Sequence, residues 1–422
     1  MKKKLVSLLL VAAMGVSMLV GCGGGDANKN TQGGSSNPSQ NEGVTDVKLT
    51  VWGPENQQDL FQTQSKAFAE ANKDKWNITW EFGVVGEDTA RDQVLNDADA
   101  AADVFMYASD NTPTLVDAQV IAKLGGETKT MIEDTMDKNV IDTVTIDGDI
   151  YAVPFTHNTY FMYYDKTIFT EEDVKTMEGI VNKATPDGVY NFKLEGSGWY
   201  MGTWYYSNGL SLYGMDGKNI EAGCNWNNET GVAVTNYLID LVKNPKVSDT
   251  VTVTELAEEH KVGAWFDGAW NYKTYKDILG DDLGMAIIPT MNINGQDVQL
   301  KSFYSTKAIG VNTKSDCLPA AIAFAAFLGS EAQQTARFEA SAQVPTNTVA
   351  AAAEAVTSSD IAKVILDEFE KASIVQPTSS EFGSGYWTPS GAIVNDIKQG
   401  KLTKDNVQEY LNTLVKAMTE VQ

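Results

Sequence analysis

Leu5 to Val20 is apolar apart from small residues, and Lys2, Lys3 and Lys4 precede it. The run is shorter than the roughly 20 apolar residues that span a bilayer. A short positive segment followed by such a run is the layout of a secretory leader, expected over 1–21. Apolar character then stops: Gly23 to Thr45 is mainly Gly, Asn, Ser, Gln and Asp, with a single Pro38. That stretch cannot bury enough apolar surface to offset the entropy of ordering it, so 22–45 is expected to be a flexible linker. From Asp46 a period of two begins, with Val47, Leu49 and Val51 against polar neighbours, which predicts a strand. After Gly53-Pro54 a helical spacing puts Leu60, Phe61, Phe68 and Ala71 on one face. Trp76, Ile78, Trp80, Phe82 and Val84 alternate again. A helical stretch near Arg91 to Ala101 leads into the short apolar strand Asp103 to Ala108, closed by Ser109-Asp110-Asn111. Strand, helix, strand, helix is the order of a parallel sheet with right-handed crossovers, and the fold class is α/β. Asp147-Gly148 between two β-like runs predicts a hairpin.

The leader ends in Leu19-Val20-Gly21-Cys22, which resembles a bacterial lipobox. Such a resemblance implies cleavage before Cys22 and a diacylglycerol on its thiol; a retained signal anchor is the alternative. The remainder, from about Asp46 to Gln422, is comfortable for two domains.

Composition changes this picture only by exclusion. The chain is 43% hydrophobic and 21% charged, with a formal charge of −24. An acidic balance of that size argues against nucleic acid and anionic lipid as partners, since both need a basic footprint. Cys224 and Cys317 are far apart and are expected to be unpaired thiols. With only His157 and His260, no Cys/His zinc set can form, and no metal or other cofactor is expected. Neither a G-x-x-x-x-G-K-[ST] loop nor a G-x-S-x-G elbow occurs.

Asp149 to Phe169, DIYAVPFTHNTYFMYYDKTIF, resembles a signature of the bacterial extracellular solute-binding proteins of family 1 through Pro154, Phe155, Thr156, Met162, Tyr163, Tyr164 and Asp165. Phe161 departs from it where a small residue is usual. Gly263 to Pro289 and Phe303 to Gly329 resemble two later stretches of the same family, whose members include the maltose- and maltodextrin-binding lipoproteins of ABC importers. The resemblance spans about Lys48 to Lys416. It implies a two-lobed, periplasmic-binding-protein-like (type II) fold with a hinge and an interlobe cleft. The lobes are expected at 46–157 plus 304–356 and at 158–303 plus 357–422. Implied partners are an oligosaccharide, maltodextrin-like first, the permease subunits of an ABC importer, and the membrane through the lipid anchor. The expected place is the outer face of the cytoplasmic membrane of a Gram-positive envelope, as a monomer and not as an enzyme.

Sugar rings offer a flat C–H face and a rim of hydroxyls, which aromatic faces and carboxylates or amides match. Trp270 follows Asp267-Gly268, Trp387 follows Gly383-Ser384-Gly385-Tyr386, and Trp199-Tyr200 follows Gly196-Ser197-Gly198. The resemblance puts these four, with Tyr107, at aromatic positions of the cleft. Trp76 and Trp80, on an alternating strand face, read as core. By the same resemblance Asp110 is a hydroxyl-binding carboxylate and Asn158 stands where a Glu is usual. Asn111 replaces an Arg, and no Lys accompanies Glu55. Glu55 is an acidic contact or a helix cap; Glu87 is a weaker acidic candidate, and His157 is read as structural. These departures are expected to take charge out of the cleft. A glycosidase would need two carboxylates about 5–10 Å apart, and a binder of polyamines, peptides or iron chelates is the other alternative.

Overall fold

The computed structural model describes residues 44–250 and 252–420. The expected leader, the lipid site at Cys22 and nearly all of the linker lie outside the described residues. The first strand runs Thr45–Gly53 and buries Val47, Leu49 and Val51, as its period requires. It pairs in parallel with Trp76–Val84 on one side and Val104–Ala108 on the other. The long strand Ser302–Val311 then runs antiparallel to Val104–Ala108. It also takes Ala152–Asn158 on its other edge and the short Ser373–Val375 at its start.

The connecting helix Gln58–Ala71 buries Phe61, Gln64, Ser65 and Phe68. Leu60 and Ala71, expected on its inner face, are half-buried and exposed. Phe61 and Phe68, seven residues apart, set the helix phase, and Leu60 lies one residue, about 100°, off that stripe. Val84 is likewise exposed, at the end of its strand. The D-G hairpin forms, with Asp147 and Gly148 both at positive φ (51° and 83°), as a tight turn between twisted strands demands.

A second sheet has the order Leu283–Ala286, Tyr160–Asp165, Val262–Gly268, Tyr190–Lys193, Val247–Ser248. The sheets have separate cores. Val51, Phe105, Val153 and Phe324 belong to the first, while Tyr160, Phe192, Trp204 and Phe266 pack on one face of the second. Phe161, Tyr163 and Trp265 pack on its other face, with Phe338, Val344 and Val356. This two-lobed arrangement is crossed where Asn158 passes through Thr159 into Tyr160, where Leu300 leads into Ser302, and around Ala372. Buried side chains tie the crossings together. Thr159 Oγ1 lies 2.8 Å from Ser302 Oγ, which donates to Glu368 Oε1 at 2.7 Å. Glu368 Oε2 accepts from the Ile288 amide at 2.9 Å.

Pairing between Ser302–Val311 and Ala152–Asn158 carries a bulge. Lys307 faces Thr156 but Ala308 faces Pro154, leaving Phe155 as an extra residue. Cys224 and Cys317 are both free and pack against different cores. Among the described residues no helix is long and apolar enough to cross a membrane.

Candidate functional site

Parallel strands present their carboxyl ends on one edge, and connecting loops there build crevices. Three such ends converge in the first lobe. Gly53 leads to Pro54, Asn56 and Gln57; Val84 leads to Glu87 and Asp88; Ala108 leads to Asp110 and Asn111. Asn158 and Lys307 come from the two paired strands beside them, and Gln376 follows Ser373–Val375. The second lobe supplies three indoles. Trp270 follows the strand Val262–Gly268, Trp199 opens the helix Gly198–Tyr206, and Trp387 lies on the helix Ser380–Gly391. Together these groups enclose a cavity of about 620 Å³ between the lobes.

Local packing positions each indole. A Cβ at Gly268 would overlap the Trp270 ring, so glycine lets that ring fold back over its own strand end. A Cβ at Gly198 would stand 2.8 Å from the Trp387 carbonyl, so glycine lets the two indole-bearing helices approach. Gly383-Ser384-Gly385, which precedes Trp387 and would suggest a loop by its glycines, is helical. Ser379 caps that helix by accepting from the Phe382 amide, and the Phe382 and Tyr386 rings stack one turn apart, at 4.5 Å and 18°. Trp199 and Trp270 lie 5.8 Å apart at 37°, and the Trp199 indole N–H donates to Gln376 Oε1 at 2.9 Å.

The first-lobe wall is a connected polar network. Glu87, only 9% exposed, pairs with Lys307 at 2.8 Å, and the Lys307 ammonium stands 5.5 Å over the Trp270 ring. Gln57 Nε2 donates to Glu87 Oε1 at 3.4 Å and to Gln343 Oε1 at 3.2 Å. Beneath it, the fully buried Arg337 donates to Gln57 Oε1 and lies between the Phe61 and Phe155 rings, at 5.4 and 4.5 Å. Burial pulls its guanidinium down to about 10, against the attraction of Glu87. Arg91 donates to Asn111 Oδ1 at 2.9 Å. Burial among the cleft walls pushes the Asp110 carboxyl up to about 6, against its own backbone amide, a hydrogen bond from Gln376 and the charge of Arg91. By surface area Asp110 is only half-buried: the walls crowd it but solvent still reaches it.

Of the eight expected ligand-binding residues, Asp110, Asn158, Trp199, Trp270 and Trp387 line this one cavity. Glu55 does not line it; it is exposed in the turn Glu55–Gln57, while its neighbours Pro54, Asn56 and Gln57 do. Tyr107 is fully buried, its hydroxyl 2.9 Å from Thr112 Oγ1, so it presents no face to a ligand. Tyr200 sits behind Trp199, its ring 4.5 Å from Tyr160 and 5.4 Å from Trp199. His157 packs against Tyr304 and Phe369, and burial lowers its imidazole to about 4. Trp76 and Trp80 are half-buried against the first core.

The expected loss of charge from the cleft does not occur. Arg91 brings a cation beside Asn111 from another helix, and Lys307 brings one from the crossing strand. Sequence reading missed Arg91, Lys307, Gln57, Gln343 and Gln376. Each is a single polar residue that belongs to no motif, and its partners are remote in the chain. A smaller cavity of about 360 Å³ lies against Asp142, Tyr304 and Ile374. Its second-lobe lining, Met215, Asp216 and Lys218, has no ring to stack on.

A family model described as bacterial extracellular solute-binding protein matches residues 63–363. The chain is 24% identical to a maltooligosaccharide ABC transporter solute-binding lipoprotein of Streptococcus pneumoniae, over 98% of this chain and 96% of that protein. It is 24% identical to a galactooligosaccharide-binding protein of Bacillus subtilis, over 95% of this chain and 94% of that one. A solved structure determined with acarbose is 36% identical, covers 88% of this chain and 98% of its own, and superposes with a TM-score of 0.83.

Proposed function

The chain belongs to the bacterial extracellular solute-binding protein family, and on that premise we propose that it captures a neutral oligosaccharide, maltodextrin-like first, for the permease subunits of an ABC importer. One observation carries the reading: three indoles from three elements of one lobe share a cavity with carboxylates and side-chain amides on the other side. Indole faces cover the C–H faces of sugar rings, while Asp110, Asn158 and Gln376 match the hydroxyl rim. The similarity to the maltooligosaccharide lipoprotein and to the acarbose-bound structure supports the same class. A galactooligosaccharide is the competing ligand, because that relative is as similar. The relatives are described as solute-binding and oligosaccharide-binding proteins, which supports a binder over a glycosidase. We place the protein outside the cytoplasmic membrane as a monomer, anchored through Cys22.

The test is a melting and calorimetry screen against malto-, galacto- and xylo-oligosaccharides, a polyamine and a peptide mixture. A true ligand at a hundred times its Kd stabilises the folded chain by about 2.7 kcal/mol. Stabilisation by the polyamine or the peptides alone would overturn the oligosaccharide reading.

A further inference from the structure

Lys307 enters the cleft from the middle of a sheet. Its strand Ser302–Val311 is paired on both edges at that residue, with Ala108 of Val104–Ala108 on one side and Thr156 of Ala152–Asn158 on the other. Pairing on two sides leaves little play at its Cα, and only 14% of its side chain is exposed. The ammonium it carries into the cavity is fixed at two more points. Glu87 Oε2 accepts from it at 2.8 Å, and the Trp270 ring of the opposite lobe is centred 5.5 Å from it. Glu87 is held in turn, because Gln57 donates to its other oxygen at 3.4 Å. The Gln57 amide cannot turn round. Arg337 only donates, so it faces the amide oxygen, and the NH₂ is left for Glu87 and Gln343. Hydrogen bonds of fixed direction therefore run from the buried Arg337 out to the ammonium.

An ammonium has three N–H donors. One goes to Glu87, and the π face of Trp270 attracts the charge without offering an acceptor atom. Among the described residues the Lys307 ammonium makes no other hydrogen bond. Donor capacity is therefore left at a point where Lys307 and Trp270 both line the 620 Å³ cavity. We propose that Lys307 is a further ligand-binding residue, donating to a hydroxyl oxygen of the sugar unit that covers Trp270. The proposal rests on the oligosaccharide reading and deepens it. Glu87 balances the charge of Lys307, so the pair serves a neutral hydroxyl rather than a sugar carboxylate. The donor has already lost most of its water, so a hydrogen bond to the ligand is not traded against a full hydration shell. One sugar unit thus meets an indole from the second lobe on its C–H face and an ammonium from the first on its rim.

The test is a cycle between protein and ligand in the full chain. The ligands are the best oligosaccharide of the screen and its monodeoxy derivatives, each lacking one hydroxyl. The proteins are the parent and Lys307→Met, with Kd measured by calorimetry. Lys307→Met should weaken binding of the complete sugar about tenfold or more, the scale of a hydrogen bond to a charged group. One deoxy derivative should lose about as much on the parent, yet bind Lys307→Met within about twofold of the complete sugar. A lysine that only braces the wall gives another pattern: the urea midpoint falls, but the deoxy losses are the same on both proteins. That result would overturn the proposal. Where Lys307→Met strands Glu87 and fails to fold, Lys307→Met with Glu87→Gln takes its place, compared with Glu87→Gln alone. Placement is checked without ligand by NMR of the ¹³C-lysine-labelled chain. The Lys307 ε-CH₂ signal, identified by its loss in Lys307→Arg, should lie upfield of those of exposed lysines and move back in Trp270→Leu. A parent signal among the exposed lysines would also overturn the proposal. If no sugar binds while the upfield signal is present, the oligosaccharide reading falls and takes this role with it. Sugar binding with equal deoxy losses removes the role alone.

Discussion

Trp270→Ala and Trp387→Ala should weaken oligosaccharide binding far more than they weaken folding, and the structure sets the scale for Trp270. The residue is 37% exposed, its covered part facing Lys307, Trp199 and the backbone of Gly268. A large aromatic buries up to about 250 Å² in a fold, so the covered part here is roughly 150 Å², and alanine retains some of that. At about 25 cal/mol per Å², reduced for a compact unfolded chain, the folding loss is about 2 kcal/mol. No dry cavity adds to it, because the vacated space opens into the cleft. Trp226 is the contrast: fully buried and stacked on Tyr205 at 3.7 Å and 1°. Truncating it should cost about 3–5 kcal/mol through lost burial and a cavity. Trp80, half-buried and 4.7 Å from Phe324, should fall between the two. Binding reverses the order. A stacking indole at the centre of a ligand site is worth about 2 kcal/mol or more, roughly thirty-fold in Kd, whereas Trp226→Ala should leave the Kd of the folded fraction unchanged. The assay is paired: urea midpoints without ligand and calorimetric Kd for each variant. If Trp270→Ala and Trp387→Ala both bind within about threefold of the parent, a gap under 1 kcal/mol, the aromatic-cleft reasoning is refuted.

Glu87→Gln should strand the Lys307 ammonium in its nearly closed site and cost about 3 kcal/mol, while Glu87→Gln with Lys307→Met should cost less than the sum of the single changes. A double-mutant cycle in urea checks this, and additivity within about 0.5 kcal/mol would mean that the pair does not couple. Burial pushes the Glu368 carboxyl up to about 8, against hydrogen bonds from Ser302 and the Ile288 amide. The folded state therefore holds a proton that the unfolded chain releases near 4.5, and this stabilisation is lost as pH rises through about 8. Glu368→Gln, which mimics the neutral acid, should gain about 1.4 kcal/mol on the parent per pH unit between pH 5 and 8; parallel urea-midpoint curves would contradict it. Cys22→Ser should abolish fatty-acid labelling in the native host without changing the urea midpoint of the secreted chain.

Where neighbours in sequence were neighbours in the fold, the chain was readable. Val47, Leu49 and Val51 alternate because one face of their strand meets the core, and Asp147-Gly148 forms its turn with no help from elsewhere. Tyr107 was not readable: in Val104–Ala108 nearly every residue is buried, so no alternation tells an inner face from a cleft face. The helix around Trp387 was hidden because packing of Phe382 and Tyr386 overrides the low propensity of Gly383 and Gly385. The polar half of the site was invisible for a different reason. Lys307 meets Glu87 across 220 positions and Gln376 meets Trp199 across 177, distances over which no local pattern carries information. The three lining tryptophans were found because the resemblance supplied their long-range placement, which composition alone does not.

The extra residue Phe155 bears on how such a cleft diverges over generations. It breaks the period of two along its own strand, yet the residues on both sides stay in register with the partner strand, Asn158 lying opposite Ser305 and lining the large cavity. Loss of codon 155 alone would restore the alternation while leaving both flanks paired as they are, Pro154 with Ala308 and Thr156 with Lys307, so Asn158 would keep its place at the cavity. The ring of Phe155 also covers Arg337, so the same deletion would uncover a buried cation beneath Gln57. A lineage that shed this residue would keep its recognition groups and gain a defect at their base. Constraint on this codon therefore comes from the scaffold under the cleft, and it stays the same whichever sugar the cleft comes to prefer.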